Sequence, residues 1–255
     1  MKNNIVLAML AHVDSGKTTL SEAMLYLSGS IRKLGRVDHK DAFLDTYSME
    51  KDRGITIFSK QAMFGWKDLD IALLDTPGHV DFSAEMERTL QVLDYAILVI
   101  SGPAGIQSHT ETVWRLLKRY NVPVFIFVNK MDIGDCQKDE IMSGIIERFG
   151  SECVDFTCET GDEFFENIAM CDEDVLEKYM DSGNIDDEDI RKLIFERKLV
   201  PCYFGSALKL DGVEEILDGL EKYTLKKEYP NEFGAKVYKV SRDDKNKRLT
   251  YLKVT

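Results

Sequence analysis

The chain has 255 residues, 44% of them hydrophobic and 31% charged, with 33 Lys and Arg against 45 Asp and Glu. That is enough chain for one large domain with a sizeable core, or one domain and part of another. No apolar run approaches the roughly 18 residues needed to cross a bilayer, and a net charge of −12 argues against wrapping nucleic acid by charge alone.

Met1-Lys2-Asn3-Asn4 leads straight into a strand-like stretch, so no targeting segment is visible and the cytoplasm is the expected compartment. Apolar strand-like runs follow at residues 5–10, 71–74, 95–100, 122–128 and 201–204. Helix-period segments at 17–28, 82–93, 108–120, 138–149 and 213–223 lie between or after them. Continuous apolar strands alternating with amphipathic helices predict an α/β fold with a mostly parallel sheet covered on both faces. Residues 56–66 join 71–74 through Lys67-Asp68, which reads as one antiparallel edge hairpin.

Two stretches break the rhythm. Residues 153–199 read as an acidic helical insertion between consecutive strands; 151–200 hold 16 Asp and Glu against 5 Lys and Arg, so the rest of the chain is nearly neutral. After Pro230, residues 235–240 and 249–254 alternate around a polar turn, the first hairpin of a second, β-type domain. The expected division is therefore 1–229 and 230–255. A lone hairpin is marginal, so the chain is expected to stop inside a domain. The five cysteines contain no C-x-x-C pair, which points to reduced thiols rather than a zinc site or disulfide framework.

Three motifs carry chemistry. "AHVDSGKTT", residues 11–19, follows the first strand and opens a helix, the setting in which backbone N–H groups and the helix dipole attract phosphate. Ala11, His12, Val13, Asp14, Ser15, Gly16 and Thr19 would surround the phosphates. Lys17 would reach the β- and γ-phosphates, and the Thr18 hydroxyl would serve Mg²⁺. "DTPG", residues 75–78, ends another strand: Asp75 would hold Mg²⁺ through water, and the Gly78 N–H would meet the γ-phosphate. Alone, this could equally be a good turn. "NKMD", residues 129–132, follows the strand at 122–128. There Asp132 could accept both donors of the guanine edge, Lys130 could lie along the base, and Asn129 could tie this loop to the phosphate loop. "GSAL", residues 205–208, offers Ser206, Ala207 and Leu208 near guanine O6. In that order, each at a strand's C-terminal end, these motifs fall where open α/β sheets bind nucleotides. They predict a bound guanine nucleotide, GTP or GDP, with Mg²⁺.

These motifs, with "RGITI" (53–57), "DTPGHVDF" (75–82) and "HTETVWR" (109–115), resemble the translational GTPases, and within them elongation factor G. "LGRVD" (34–38) and "DVLEKYM" (174–180) look more like the tetracycline-resistance ribosomal-protection proteins. Ala11 replaces a glycine of the pattern, and the loop 101–105, "SGPAG", departs from it and has no assigned role. The resemblance implies a P-loop GTPase domain followed by the start of a β-barrel. By it Thr56 is the switch threonine that completes the Mg²⁺ shell beside γ-phosphate. Val13 and Ile55 match an apolar gate flanking a catalytic histidine, and Asp14 matches an aspartate that helps hold a monovalent cation.

His79 lacks partner histidines nearby for a metal and sits badly in a core on a Pro-Gly turn. Beside a γ-phosphate its best role is to orient the attacking water, because phosphoryl transfer gains most from placement and electrostatics. His39 and His109 read as surface or packing residues. The expected activity is ribosome-stimulated GTP hydrolysis, with ribosomal RNA and stalk proteins as partners, no specific DNA binding and a monomeric protein. A ribosomal-protection factor is the first reading and an elongation factor G-like translocase the second. A GTP-controlled scaffold with little hydrolysis is a third, from another class.

Overall fold

A computed structural model describes residues 2–35, 60–75, 83–157, 161–225, 232–242 and 246–254. Strands β1 (Asn3–Ala11), β2 (Lys60–Trp66), β3 (Leu69–Asp75), β4 (Tyr95–Ser101), β5 (Val124–Asn129), β6 (Cys153–Asp155) and β7 (Val200–Phe204) form one sheet. Their order is β2-β3-β1-β4-β5-β7-β6, and only β2 with β3 is antiparallel. The β2–β3 turn is Lys67-Asp68, as expected from the sequence, with Lys67 at φ 47.

The helices are α1 (Lys17–Leu27), α2 (Ser83–Leu90), α3 (Ser108–Arg119), α4 (Lys138–Phe149), α5 (Asp162–Ala169), α6 (Glu173–Ser182), α7 (Asp187–Phe195) and α8 (Val213–Tyr223). They cover both faces of the sheet. The two-residue period of β1 sends Leu7 and Met9 to one face and Ala8 and Leu10 to the other. On the first face lie α1, through Leu20 and Met24, and α8, through Ile216 and Leu220. On the second lie α2, α3 and α4, through Met86, Val113, Trp114 and Ile145. Charge supports the helix ends: α3 has Glu111 in its first turn and Lys118 and Arg119 in its last, matching the macrodipole. The two-sided cover explains why β4 and β5 are buried along their whole lengths.

The insertion differs from the sequence reading at its start. Residues 153–155 form β6, which pairs in parallel with β7 at the sheet's edge before the chain turns into helices. Three residues reading Cys-Val-Asp are too few to show a strand period. Nor are the insertion helices an appendage: Phe164, Val175, Ile190 and Ile194 join the same core as α1 and α8. Phe156 makes the joint, meeting Phe164 and Tyr223 edge-on with ring centroids 5.0 and 5.4 Å apart.

Strands β8 (Ala235–Arg242) and β9 (Arg248–Val254) form the expected antiparallel hairpin, with an irregularity between Val237 and Lys239. From β9, Lys253 Nζ reaches Asp94 Oδ1 at 2.6 Å and the Val92 carbonyl at 2.8 Å. No helix among the described residues is long and apolar enough to cross a membrane.

Candidate functional site

The predicted site residues that are described gather at the C-terminal ends of the parallel strands. Ala11 closes β1, buried and paired in register with Val99 of β4. The loop beyond it needs left-handed backbone at Asp14 (φ 62) and Gly16 (φ 90). Glycine is required at the second, since a Cβ there would lie 2.1 Å from Asn129 Nδ2. Two such residues within three positions form the kind of turn that aims successive N–H groups into one concavity. Lys17, Thr18 and Thr19 form the first turn of α1; Lys17 is buried, and the two threonines are half-buried.

Three contacts join this loop to the other motifs. The Lys17 ammonium forms a buried ion pair with Asp75, at the end of β3 opposite Met9 of β1. Asn129 donates from Nδ2 to the Ser15 carbonyl at 3.0 Å, while its Oδ1 accepts from the Lys130 and Ala207 backbone N–H groups at 2.9 Å each. One buried amide thus fastens the loops at 15, 130 and 207. Lys130, itself at φ 65, donates from Nζ to the Asp14 carbonyl at 2.6 Å. The Met131 N–H donates to the Gly205 carbonyl at 3.0 Å.

Asp132 lies two residues beyond Lys130; the residue is exposed, but its side chain is only 19% so. A hydrogen bond from the Ser206 side chain does most to hold its carboxyl below the ordinary carboxylate range; burial opposes this, and Lys209 adds to it. Ser206 and Ala207 are buried and Leu208 is exposed. Among the described residues no group of three or more His, Cys, Asp or Glu side chains is placed to hold a metal. A single carboxylate, Asp75, with a nearby threonine turn suits Mg²⁺, which keeps waters and takes other ligands from phosphate oxygens.

Val13 is half-buried, and His12 sets its ring 6.0 Å from that of His109. His109 is buried, so of the two readings given to it packing holds. Ile55, Thr56, Gly78, His79 and His39 lie outside the described residues. The unassigned loop 101–105 closes on itself through the Gly105 N–H and Ser101 carbonyl, 2.8 Å, and its Gly102 N–H donates to the Asn129 carbonyl at 2.8 Å. It braces the strand end that carries Asn129. Sequence reasoning missed Lys209, whose Nζ lies 3.2 Å from Asp132 Oδ2. Its only signal was its place one residue beyond "GSAL".

The sequence profile of the elongation factor Tu GTP binding domain matches residues 2–226. The chain belongs to that family. It is a GTPase domain of the translational type, related to elongation factor G and to a tetracycline resistance protein. Tetracycline resistance protein TetP of Clostridium perfringens is 35% identical over all of this chain and 43% of its own length. Elongation factor G of Ureaplasma urealyticum serovar 10 is 33% identical over 96% of this chain and 46% of its own length. A crystal structure of a Thermus thermophilus protein superposes with a TM-score of 0.86 at 22% identity, covering 100% of this chain and 45% of that one. At that identity the likeness carries the fold alone. The chain spans less than half the length of these relatives.

Proposed function

We propose that this chain is the GTP-binding and GTP-hydrolysing part of a cytoplasmic, monomeric, ribosome-associated factor. In this reading residues 1–229 form the GTPase domain and 230–255 open a β-barrel domain. The observation that carries it is Asn129, whose hydrogen bonds hold the phosphate loop, "NKMD" and "GSA" as one unit.

The roles follow from the chemistry of each group. Ala11 to Thr19 surround the phosphates, and Lys17 turns from Asp75 towards the β- and γ-phosphates. Mg²⁺, when bound, draws charge from the phosphate oxygens; Thr18, Thr56 and Asp75 would hold it, and Asp14 would help hold a monovalent cation. Asp132 accepts the guanine edge, with Ser206, Ala207 and Leu208 beside the base. Gly78 meets the γ-phosphate and His79 orients the attacking water, flanked by Val13 and Ile55.

Protection of ribosomes from tetracycline is the preferred branch, supported by the 35% identity to TetP across the whole chain. Translocation is the second reading, supported by 33% identity to elongation factor G over 96% of it. Phosphate release from GTP by the full-length protein, with and without ribosomes, tests the enzyme reading; no turnover even with ribosomes leaves only a scaffold. Rescue of tetracycline-inhibited translation separates the two branches. In the phosphate-release assay, with nucleotide affinity measured on the same preparations, His79→Ala should leave GTP affinity nearly intact and slow hydrolysis roughly 10²–10⁴-fold. Comparable loss of affinity would make His79 a binding residue instead. The acidic insertion would dock a basic ribosomal stalk protein, so ribosome-stimulated turnover should weaken with salt. A salt-insensitive rate removes that partner.

A further inference from the structure

Neither "NKMD" nor "GSAL" contains Lys209, yet its ammonium and the Ser206 side chain meet the same carboxylate, that of Asp132. Both come from one short loop whose backbone is closely determined. Ser206 and Asp211 exchange backbone hydrogen bonds at 3.0 Å each, and the Lys209 N–H donates to the Ser206 carbonyl at 3.0 Å. Glycines bracket the loop because nothing else fits: a Cβ on Gly205 would lie 2.2 Å from the Asp211 carbonyl oxygen, and one on Gly212 2.5 Å from that of Phe204. The Met131–Gly205 bond fixes the partner loop. Two side chains from one backbone frame therefore meet the Asp132 carboxylate.

A carboxylate on a single bond rotates in a broad, two-fold well. Accepting two parallel donors from one base edge requires one particular plane. We propose that Lys209 is a positioning residue for base choice, fixing the Asp132 carboxylate so that both oxygens face the two guanine donors. This rests on the guanine-nucleotide reading of the site. It assigns Lys209 no contact with the base; the residue acts through Asp132.

The test is calorimetric titration of the full chain with GDP and with inosine diphosphate, whose base lacks the N2 amino donor. Lys209→Met keeps the stem and removes the charge; Lys209→Arg restores it. Lys209→Met should weaken GDP by roughly 2- to 5-fold, the scale of an exposed ion pair, and inosine diphosphate by much less. The preference for GDP then falls, and Lys209→Arg returns it. Equal losses for both nucleotides would mean a collapsed loop and overturn the positioning role. So would an unchanged preference, a failure of Lys209→Arg to restore it, or tighter GDP binding by Lys209→Met, which would make Lys209 a competitor for Asp132. A parent chain that binds neither nucleotide removes the guanine reading and this proposal together.

Discussion

Gly16 combines a φ of 90 with a Cβ position only 2.1 Å from the Asn129 amide. Gly16→Ala therefore meets backbone strain and a clash with a side chain that is itself held by Ser15. Each such strain costs roughly 1–3 kcal/mol, so the urea midpoint should fall, and guanine-nucleotide affinity with it as the clasp opens. Unchanged affinity would show that the Asn129 clasp does not shape the phosphate site. Asp132→Asn tests the opposite end of the site. It puts a donor where the guanine edge also donates, so GTP should weaken and xanthosine triphosphate gain, with a switch of up to about 10⁴. Equal GTP binding by parent and variant rejects Asp132 as the base reader. At this scale the sequence was legible where a residue's role is local. Asn129 could be expected to bridge from its motif, whereas Lys209 meets Asp132 only because a loop far along the chain closes on itself.

Elements were legible where period and length agreed. Helix α4 occupies the predicted 138–149 and α8 the predicted 213–223. Strand β6 was not, because three residues carry no pattern and its identity depends on β7 lying alongside. The caps of the insertion can be tested directly. Asp172 precedes α6 and accepts hydrogen bonds from the Asp174 and Val175 N–H groups at 3.1 and 3.4 Å. Lys198, hydrogen-bonded to it at 2.7 Å, is the main cause that holds its carboxyl below the usual range; burial opposes, and the cap bonds reinforce. A carboxyl depressed on folding stabilises above its unfolded value, about pH 3.9, and loses that contribution as pH falls through its folded value. Asp172→Ala should cost about 1 kcal/mol near neutral pH, with the gap to the parent closing in acid. Asp172→Asn keeps a cap but should lose the pH dependence. Denaturant unfolding from pH 7 to 3 checks both. A gap for Asp172→Ala that persists undiminished to pH 3 would mean that the ionised carboxylate is not what stabilises α6.

For the molecule as a whole, the hairpin's attachment is the part that the sequence concealed. Alternation announced β8 and β9 but not what they rest on. Lys253 Nζ pairs with Asp94 where the two side chains are only 10% and 2% exposed, and Asp94 Oδ2 also accepts from the Val6 N–H at 2.8 Å. One carboxylate thus joins the hairpin, the turn before β4 and the start of β1. Lys236 adds a longer contact, 3.3 Å, to the Gln91 carbonyl. A buried pair is weak evidence for net stability, because desolvating both charges offsets their attraction, but breaking one side strands the other. Lys253→Met should therefore destabilise by about 3–5 kcal/mol, first as local release of the hairpin. Amide exchange in β8 and β9 should accelerate well before exchange in β4 and β5, whose strands lie buried at the sheet's centre. Adding Asp94→Asn removes the stranded charge while keeping an acceptor for Val6. The double variant should therefore recover most of the loss, though not the tether. If Lys253→Met leaves hairpin exchange at the parent's rate, the ion pair does not hold the hairpin. If the double variant is no better than Lys253→Met, the cost lies in lost packing of the lysine stem and not in a buried carboxylate that has lost the Lys253 charge.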